Sequence, residues 1–245
     1  MMNSLPDRLF DLPQANIPHF CFDESVAAAF SDMAQRSIPG YQTIVDRLGG
    51  LAKRLMQPNS YAYDLGCSLG TASLAIYHHL PYPDCTIVAV DSSAAMVSRC
   101  QQQVAAIQAQ STIQVVQADI TSTNIVQASL VVLNFTLQFL APIQRLSLLQ
   151  RIYQGLLPGG VLVLSEKFAF IDPKAHQLLD KLHLDFKREQ GYSDLAINQK
   201  RSALERVMLI DTLETHQKRL HKAGFQHSNL WFQYLNFGSL IAWKL

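Results

Sequence analysis

Charge is scarce in this chain. Asp, Glu, Lys and Arg together supply 16% of its 245 residues and leave a formal net charge of +1. A general nucleic-acid binder carries a basic footprint, so no direct contact with nucleic acid is expected. The small basic clusters, Lys187-Arg188 and Lys218, Arg219 and Lys222, are interleaved with acids and apolar residues at helical spacing and read as solvated helix faces. No apolar run approaches the ~18 residues of a membrane-spanning helix. The amino-terminus lacks the order of basic, apolar and small residues that makes a signal peptide, and a cytoplasmic, membrane-free location is the expectation. The four cysteines, Cys21, Cys67, Cys85 and Cys100, include no C-x-x-C pair and read as reduced thiols. The eight histidines form no H-E-x-x-H pattern, and no metal site is expected. Also missing are G-x-G-x-x-G and a glycine loop ending in Gly-Lys-Ser/Thr, the marks of dinucleotide and phosphate loops.

What is present is apolar and periodic. Apolar residues supply 49% of the chain, enough for one α/β domain with a helical appendage. Strands are expected over 62–65, 86–90, 112–116, 130–135 and 160–166, with helices over 71–80, 94–109 and 143–155 between them. Several of these strands are unbroken apolar runs, as when helices cover both faces of a parallel sheet. Residues 155–160 (Gly-Leu-Leu-Pro-Gly-Gly) read as a helix stop and re-entry turn. Ahead of this alternation lie an irregular leader, with three prolines in the first twenty residues, and helical spacing over 23–33 and 44–56. Behind it, 172–189 and 194–208 read as two helices with no strand between them, an insertion before the sheet resumes. A helix over 212–223 and strands over 226–234 and 238–244 follow, the last two joined tightly enough to pair antiparallel. The leader and first helices, 1–57, are thus expected to precede a ligand-binding domain, 58–245, with a helical insertion at about 172–208.

The stretch Tyr63-Asp64-Leu65-Gly66-Cys67-Ser68-Leu69-Gly70 joins a strand to a helix through two glycines. Its pattern, D-x-G-x-x-x-G, resembles motif I of Rossmann-like S-adenosylmethionine (SAM) enzymes. The sheet order resembles the SAM-methyltransferase fold: α/β, mostly parallel, closed by a C-terminal antiparallel hairpin. Glycine lets a ligand touch bare backbone, and the small residues Gly66, Cys67 and Ser68 are candidate contacts. Cys67 stands near a helix start, where a thiol pKa falls, but no base partner is readable and a nucleophile is not expected.

In open α/β sheets the ligand lies beyond the carboxyl ends of the strands, and a polar residue stands at each such place. Asp91, about twenty residues past the glycine corner, suits two ribose hydroxyls; the alternative is a helix N-cap shared with Ser92 or Ser93. Asp119 suits an adenine amino group, with Ile120 packed on the ring; the alternative is an ordinary turn aspartate. Asn134 interrupts the apolar run Leu133-Asn134-Phe135, either as a ligand contact or at a turn.

A closer resemblance rests on Arg36-Ser37-Ile38-Pro39-Gly40-Tyr41, on the glycine corner and on Val131-Val132-Leu133-Asn134-Phe135-Thr136-Leu137-Gln138-Phe139-Leu140. Leu164-Ser165-Glu166-Lys167-Phe168, Asn198-Gln199-Lys200-Arg201-Ser202 and Leu230-Trp231-Phe232-Gln233 extend it. From about residue 20 to its end the chain resembles the carboxy-S-adenosyl-L-methionine (carboxy-SAM) synthases. The resemblance implies an enzyme that takes SAM and prephenate to carboxy-SAM and phenylpyruvate, carbon dioxide from prephenate being captured by a sulfonium ylide. It also implies a homodimer, and a partner enzyme that uses carboxy-SAM to carboxymethylate a tRNA wobble uridine. Carried over, Arg201 is the cation for the new carboxylate, its planar fork matching that group, and Tyr41 closes near the sulfonium. Residue composition alone favours a surface arginine at 201, and the alternative for Tyr41 is a core tyrosine after a turn. Ser92 stands where the family often has Asn, and its hydroxyl can still hydrogen-bond. An ordinary methyltransferase and a non-catalytic SAM-binding module are the other readings of the same fold.

Overall fold

The apolar runs become the centre of one eight-stranded sheet in a computed structural model, which describes residues 5–245. The strands are β1 (Tyr61–Leu65), β2 (Thr86–Asp91), β3 (Ile113–Gln117), β4 (Ala128–Asn134), β5 (Leu156–Ala169), β6 (Asp211–Thr212), β7 (Ser228–Tyr234) and β8 (Phe237–Trp243). They lie in the order β3-β2-β1-β4-β5-β8-β7, with the two-residue β6 beside the end of β5. β1 to β5 pair in parallel, while β8 runs antiparallel to both β5 and β7. The α/β class and the closing hairpin are as the sequence leads one to expect.

The helices are α1 (Glu24–Ser37), α2 (Tyr41–Leu55), α3 (Thr71–Tyr77), α4 (Ala94–Ala106), α5 (Pro142–Gly155), α6 (Pro173–Glu189), α7 (Asp194–Leu204) and α8 (Leu213–Ala223). Successive strand residues point to opposite faces, so an unbroken apolar strand feeds two cores. Leu130 and Val132 pack with Leu48, Ile76 and Val104 of α2, α3 and α4. Val131 and Leu133 pack on the other face with Leu148, Ile152 and Leu220 of α5 and α8. All four of these β4 side chains are fully buried, and truncating one to Ala is expected to cost about 2–5 kcal/mol.

Several element bounds shift by a few residues, α1 running on to Ser37 and α4 stopping at Ala106, and four further details differ from the sequence expectation. α3 stops at Tyr77, because Pro81 restricts Leu80 and the chain tightens through His79 N–H to Ile76 and Leu80 N–H to Tyr77. α7 stops at Leu204, whose carbonyl takes the N–H groups of both Val207 and Met208. Residues 155–160 do not form a plain turn. Leu156 already pairs with Ala128, and the ladder resumes at Val161 with Leu130, so 157–160 bulge out of one long strand at the positive φ of Gly159. β6 had no readable signal at two residues.

α6 and α7 form the insertion, capped by Asp172 and Ser193. The leader carries no helix or strand over 5–20 and is strapped across α7. Gln199 donates to the carbonyls of Phe10 and Leu12 and accepts from Gln14 N–H at 2.7 Å, and Phe20 N–H reaches Ala203.

Candidate functional site

The strand order reverses at β1, with β2 and β3 on one side and β4 and β5 on the other. Beyond the carboxyl ends of these strands lies a cavity of about 790 Å³, roofed by α6 and α7. That position is the switch point where open α/β sheets hold ligands, and the volume is in the range of small-molecule sites. All ten candidate residues line it. A smaller depression of about 450 Å³, by Ile125, Arg151 and Pro158, lies at the amino ends of β4 and β5, away from every one of them.

The glycine corner is shaped by contact. Gly66 has φ +81°, and a Cβ there would come within 2.4 Å of Thr136 Cγ2, so only glycine fits. The N–H groups of Gly66 and Cys67 are tied to Val90 O at 2.8 and 3.0 Å, which fixes the corner against β2. Asp64 faces the same wall but is spent on structure: Oδ2 accepts from Ser73 N–H and Oγ–H at 3.0 and 2.7 Å, anchoring α3. Burial raises its carboxyl to about 6. The Cys67 thiol is pushed well above its ordinary value, first by its hydrogen bond with Cys100 and then by burial. It is therefore a filler and not a nucleophile.

Asp91 ends β2. Its two carboxylate oxygens accept from Ser68 N–H and Ser93 N–H, both at 2.9 Å. The helix cap is Ser93, whose Oγ takes Met96 N–H at 3.2 Å, so Asp91 is not the cap residue. Burial raises the Asp91 carboxyl despite its backbone donors. Ser92 lines the cavity beside it. Asp119 lies two residues past β3, exposed on the cavity rim, with Oδ1 taking both the N–H and hydroxyl of Thr121 at 2.7 and 2.8 Å; Ile120 is buried next to it. Asn134 is the last residue of β4, and its buried Oδ1 has no partner among the described residues. A buried unsatisfied acceptor costs about 1–3 kcal/mol, and this one belongs to a residue of the cavity lining. Phe135, which follows, holds φ +61°, a strained conformation for a bulky residue of the kind that collects at functional sites. Glu166 secures this corner by accepting Leu137 and Gln138 N–H at 2.8 and 2.9 Å; burial raises it to about 8.

Tyr41 opens α2, half-buried, its ring centroid 6.3 Å from that of Phe135. Burial raises its phenol to about 12, and it hydrogen-bonds with Thr71. Arg201 stands at the rim of the cavity with its side chain 63% exposed, 3.3 Å from Asp180.

The sequence reading missed a second set of residues on this wall. Lys187, taken as a solvated face together with Arg188, is buried, whereas Arg188 is exposed between Asp185 and Asp194. The face of α6 turned to the cavity carries Asp180, His183, Leu184 and Lys187, spaced i, i+3, i+4 and i+7. That phase was available, but two charged residues and a histidine on it do not look like an inward stripe. Lys167 joins them from β5 and Lys200 from α7. Burial lowers the lysines at 167, 187 and 200, and lowers His183 to about 3, so its imidazole is neutral and donates through Nε2 to Ser37 O at 2.9 Å. Among the described residues no group of three His, Cys, Asp or Glu side chains is placed to hold a metal, and no helix is long and apolar enough to cross a membrane.

The polar lining fits SAM: carboxylates and an unpaired amide oxygen to accept from its hydroxyl and amino groups, and bare backbone at the glycine corner. Known proteins agree with this geometry. Residues 62–160 match a family model described as a methyltransferase domain. Among solved structures, a putative O-methyltransferase from Nostoc punctiforme superposes with a TM-score of 0.63 at 18% identity, covering 90% of this chain and 59% of its own. Human N-acetylserotonin methyltransferase in complex with SAM gives 0.59 at 19% identity, over 90% of this chain and 55% of its own. Both show the fold. Much nearer in sequence are the carboxy-S-adenosyl-L-methionine synthases of Citrobacter koseri and Pectobacterium atrosepticum, 55% and 56% identical over 97% of this chain and 96% of theirs. With that identity sustained from leader to hairpin, the chain belongs to the carboxy-S-adenosyl-L-methionine synthases.

Proposed function

We propose that the protein converts SAM and prephenate into carboxy-SAM, phenylpyruvate and water. The observation that carries this reading is one cavity with two chemically opposite ends, an acid-and-amide end at the strand tips and a lysine-rich end under α6 and α7. When bound, SAM supplies the methyl carbon that receives carbon dioxide, and prephenate supplies the carbon dioxide.

In this reading Asp91 accepts from the ribose hydroxyls, with Ser92 beside it, and Asp119 accepts from the adenine amino group while Ile120 packs on the ring. Gly66, Cys67 and Ser68 offer backbone to the amino-acid part. Asn134 Oδ1 accepts from the ligand's amino group. Tyr41 holds its face toward the sulfonium, and its raised phenol keeps it a neutral donor through the working pH range. Arg201 folds inward from the rim to hold the new carboxylate. Phe22 and Phe139, edge to face at 5.2 Å, are among the apolar residues that exclude water from the space between.

The enzyme acts in the cytoplasm as a homodimer, and its product feeds a tRNA carboxymethyltransferase. Ile171, Leu178 and Leu182, on or beside α6, are exposed at 75%, 58% and 40% and suit a subunit contact. Sedimentation of the purified protein tests that point. Mass spectrometry after incubation with SAM and prephenate tests the activity. A product heavier than SAM by one carbon dioxide, with matching phenylpyruvate, is expected; only SAM and its demethylated product would overturn the reading.

A further inference from the structure

The basic end of the cavity has one cation too many. Lys200 is closed off, its Nζ 3.0 Å from both Asp7 Oδ2 and Ser37 Oγ, and Asp7 is itself buried. Asp180 is divided between Lys167, at 3.4 Å, and Arg201, at 3.3 Å. Glu205 is the other acid on this side of the cavity, and it is exposed. Lys187 is 8% exposed, lines the cavity, and makes no side-chain hydrogen bond or ion pair among the described residues. Its ammonium is not sealed off but opens on the cavity, and on a side chain so largely removed from water a charge without a protein partner is costly. Lys200 and Lys167 raise that cost, and Asp7 and Asp180 offset it only in part. Burial and those two lysines lower Lys187 to about 7. A folded chain that keeps such a group facing an open cavity has built an anion site.

We propose that Lys187, with Lys167 beside it, binds the pyruvyl carboxylate of the second substrate and of the keto acid released from it. The assignment rests on the reading of the second substrate as prephenate. Prephenate carries two carboxylates with different fates. The one on the quaternary ring carbon is lost: its C–C bond breaks, that electron pair completes the aromatic ring, and the ring hydroxyl leaves and is protonated to water. A fixed cation held against that carboxylate would stabilise the charge it has to give up and slow its departure. The pyruvyl carboxylate keeps its charge throughout and stays in phenylpyruvate, so a buried lysine there anchors substrate and product without opposing the reaction. The division of labour follows from where the cations sit. Buried Lys187 holds what does not react, and Arg201, exposed at the rim beside Asp180, receives the carboxylate that is new.

Phenylpyruvate is the probe, titrated calorimetrically into SAM-loaded full-length protein. In Lys187→Met its dissociation constant and the KM for prephenate are expected to rise about tenfold to hundredfold, the range for one lost charge-assisted hydrogen bond. SAM affinity stays within about twofold, and the melting temperature holds or rises, because an unpaired buried charge has been removed. Lys187→Arg keeps the charge and is expected to retain phenylpyruvate binding within about fivefold of wild type. Phenylpyruvate affinity unchanged in the Met variant, SAM affinity falling alongside it, or an Arg variant no better than Met would each overturn the proposal. Wild-type protein that binds phenylpyruvate through Lys187 yet makes no carboxy-SAM would overturn the proposed activity and leave the subsite standing.

Discussion

The two ends of the cavity differ in origin as well as in charge. The end proposed to hold SAM is made by strand tips, where Asp91, Asp119 and Asn134 sit at successive carboxyl ends of one sheet. The basic end is made by an insertion, where Lys187 and Arg201 come from two helices that no strand separates. A sheet places its terminal residues by hydrogen-bond register, so the first end has little freedom. A pair of helices laid over it can change side chains without disturbing that register. On the proposed function, the fold shared with methyltransferases accounts for holding SAM, and the insertion accounts for what is done with it.

If this division is right, damage to each end has a different signature. The largest effect is expected from Asp91→Ala, which removes a ligand acceptor and frees the N–H groups of Ser68 and Ser93. SAM and carboxy-SAM should both bind about a hundredfold more weakly or worse, as read by calorimetry, and unchanged affinity would reduce Asp91 to a brace for the loop. Arg201→Ala should separate the ligands, weakening carboxy-SAM about tenfold or more while SAM changes little. Equal losses would erase the distinction between the two ends.

The pH profile is the next test. Lys187 must be charged to hold a carboxylate, so kcat/KM for prephenate should fall above pH about 7, by up to about tenfold per pH unit. The charges facing it are Lys167 from β5, Asp180 from α6, Lys200 from α7 and Asp7 from the leader. Lys187→Arg should carry the fall out of the measured range. For stability the sign is fixed by the depressed lysine. Its contribution is present above the usual lysine range and lost as pH falls through about 7. Glu166, raised to about 8, works in the opposite sense, its contribution present below the ordinary carboxylate range and lost as pH rises. Comparing melting curves of wild type and Lys187→Met from pH 6 to 9, without ligands, isolates the lysine. Tyr41→Phe should do least, keeping the ring and losing only the bond with Thr71. A change in SAM affinity of under about fivefold is expected, and a larger one would give the hydroxyl a direct part in binding.

The SAM end is legible in the sequence because strands announce their own ends. A polar residue after four apolar ones is visible at Asp91 and Asn134 without a structure. The basic end is not. Lys187 and Arg188 are adjacent and chemically alike, and only the phase of α6 against the cavity buries one and exposes the other. Asp7 reads as one acid in a proline-rich leader, and nothing local says that Lys200, 193 positions away, will depend on it. The bulge at 157–160 and the stop of α7 at Leu204 are set by pairing and packing with distant residues, which a local pattern does not carry.

The strap of the leader over α7 has a consequence for how the molecule comes into being. Asp7 is the counter-charge for Lys200, which is synthesised 193 positions later, and Tyr192 donates to the same carboxylate. A nascent chain can build β1 to β4 and their glycine corner while α7 is still unmade, but the basic end has to wait for the leader to meet a helix made 193 positions later. Closing so long a loop is slow relative to local folding. During synthesis the protein should thus become able to grip SAM before it can accept its second substrate, and carboxylation competence is the last property it acquires.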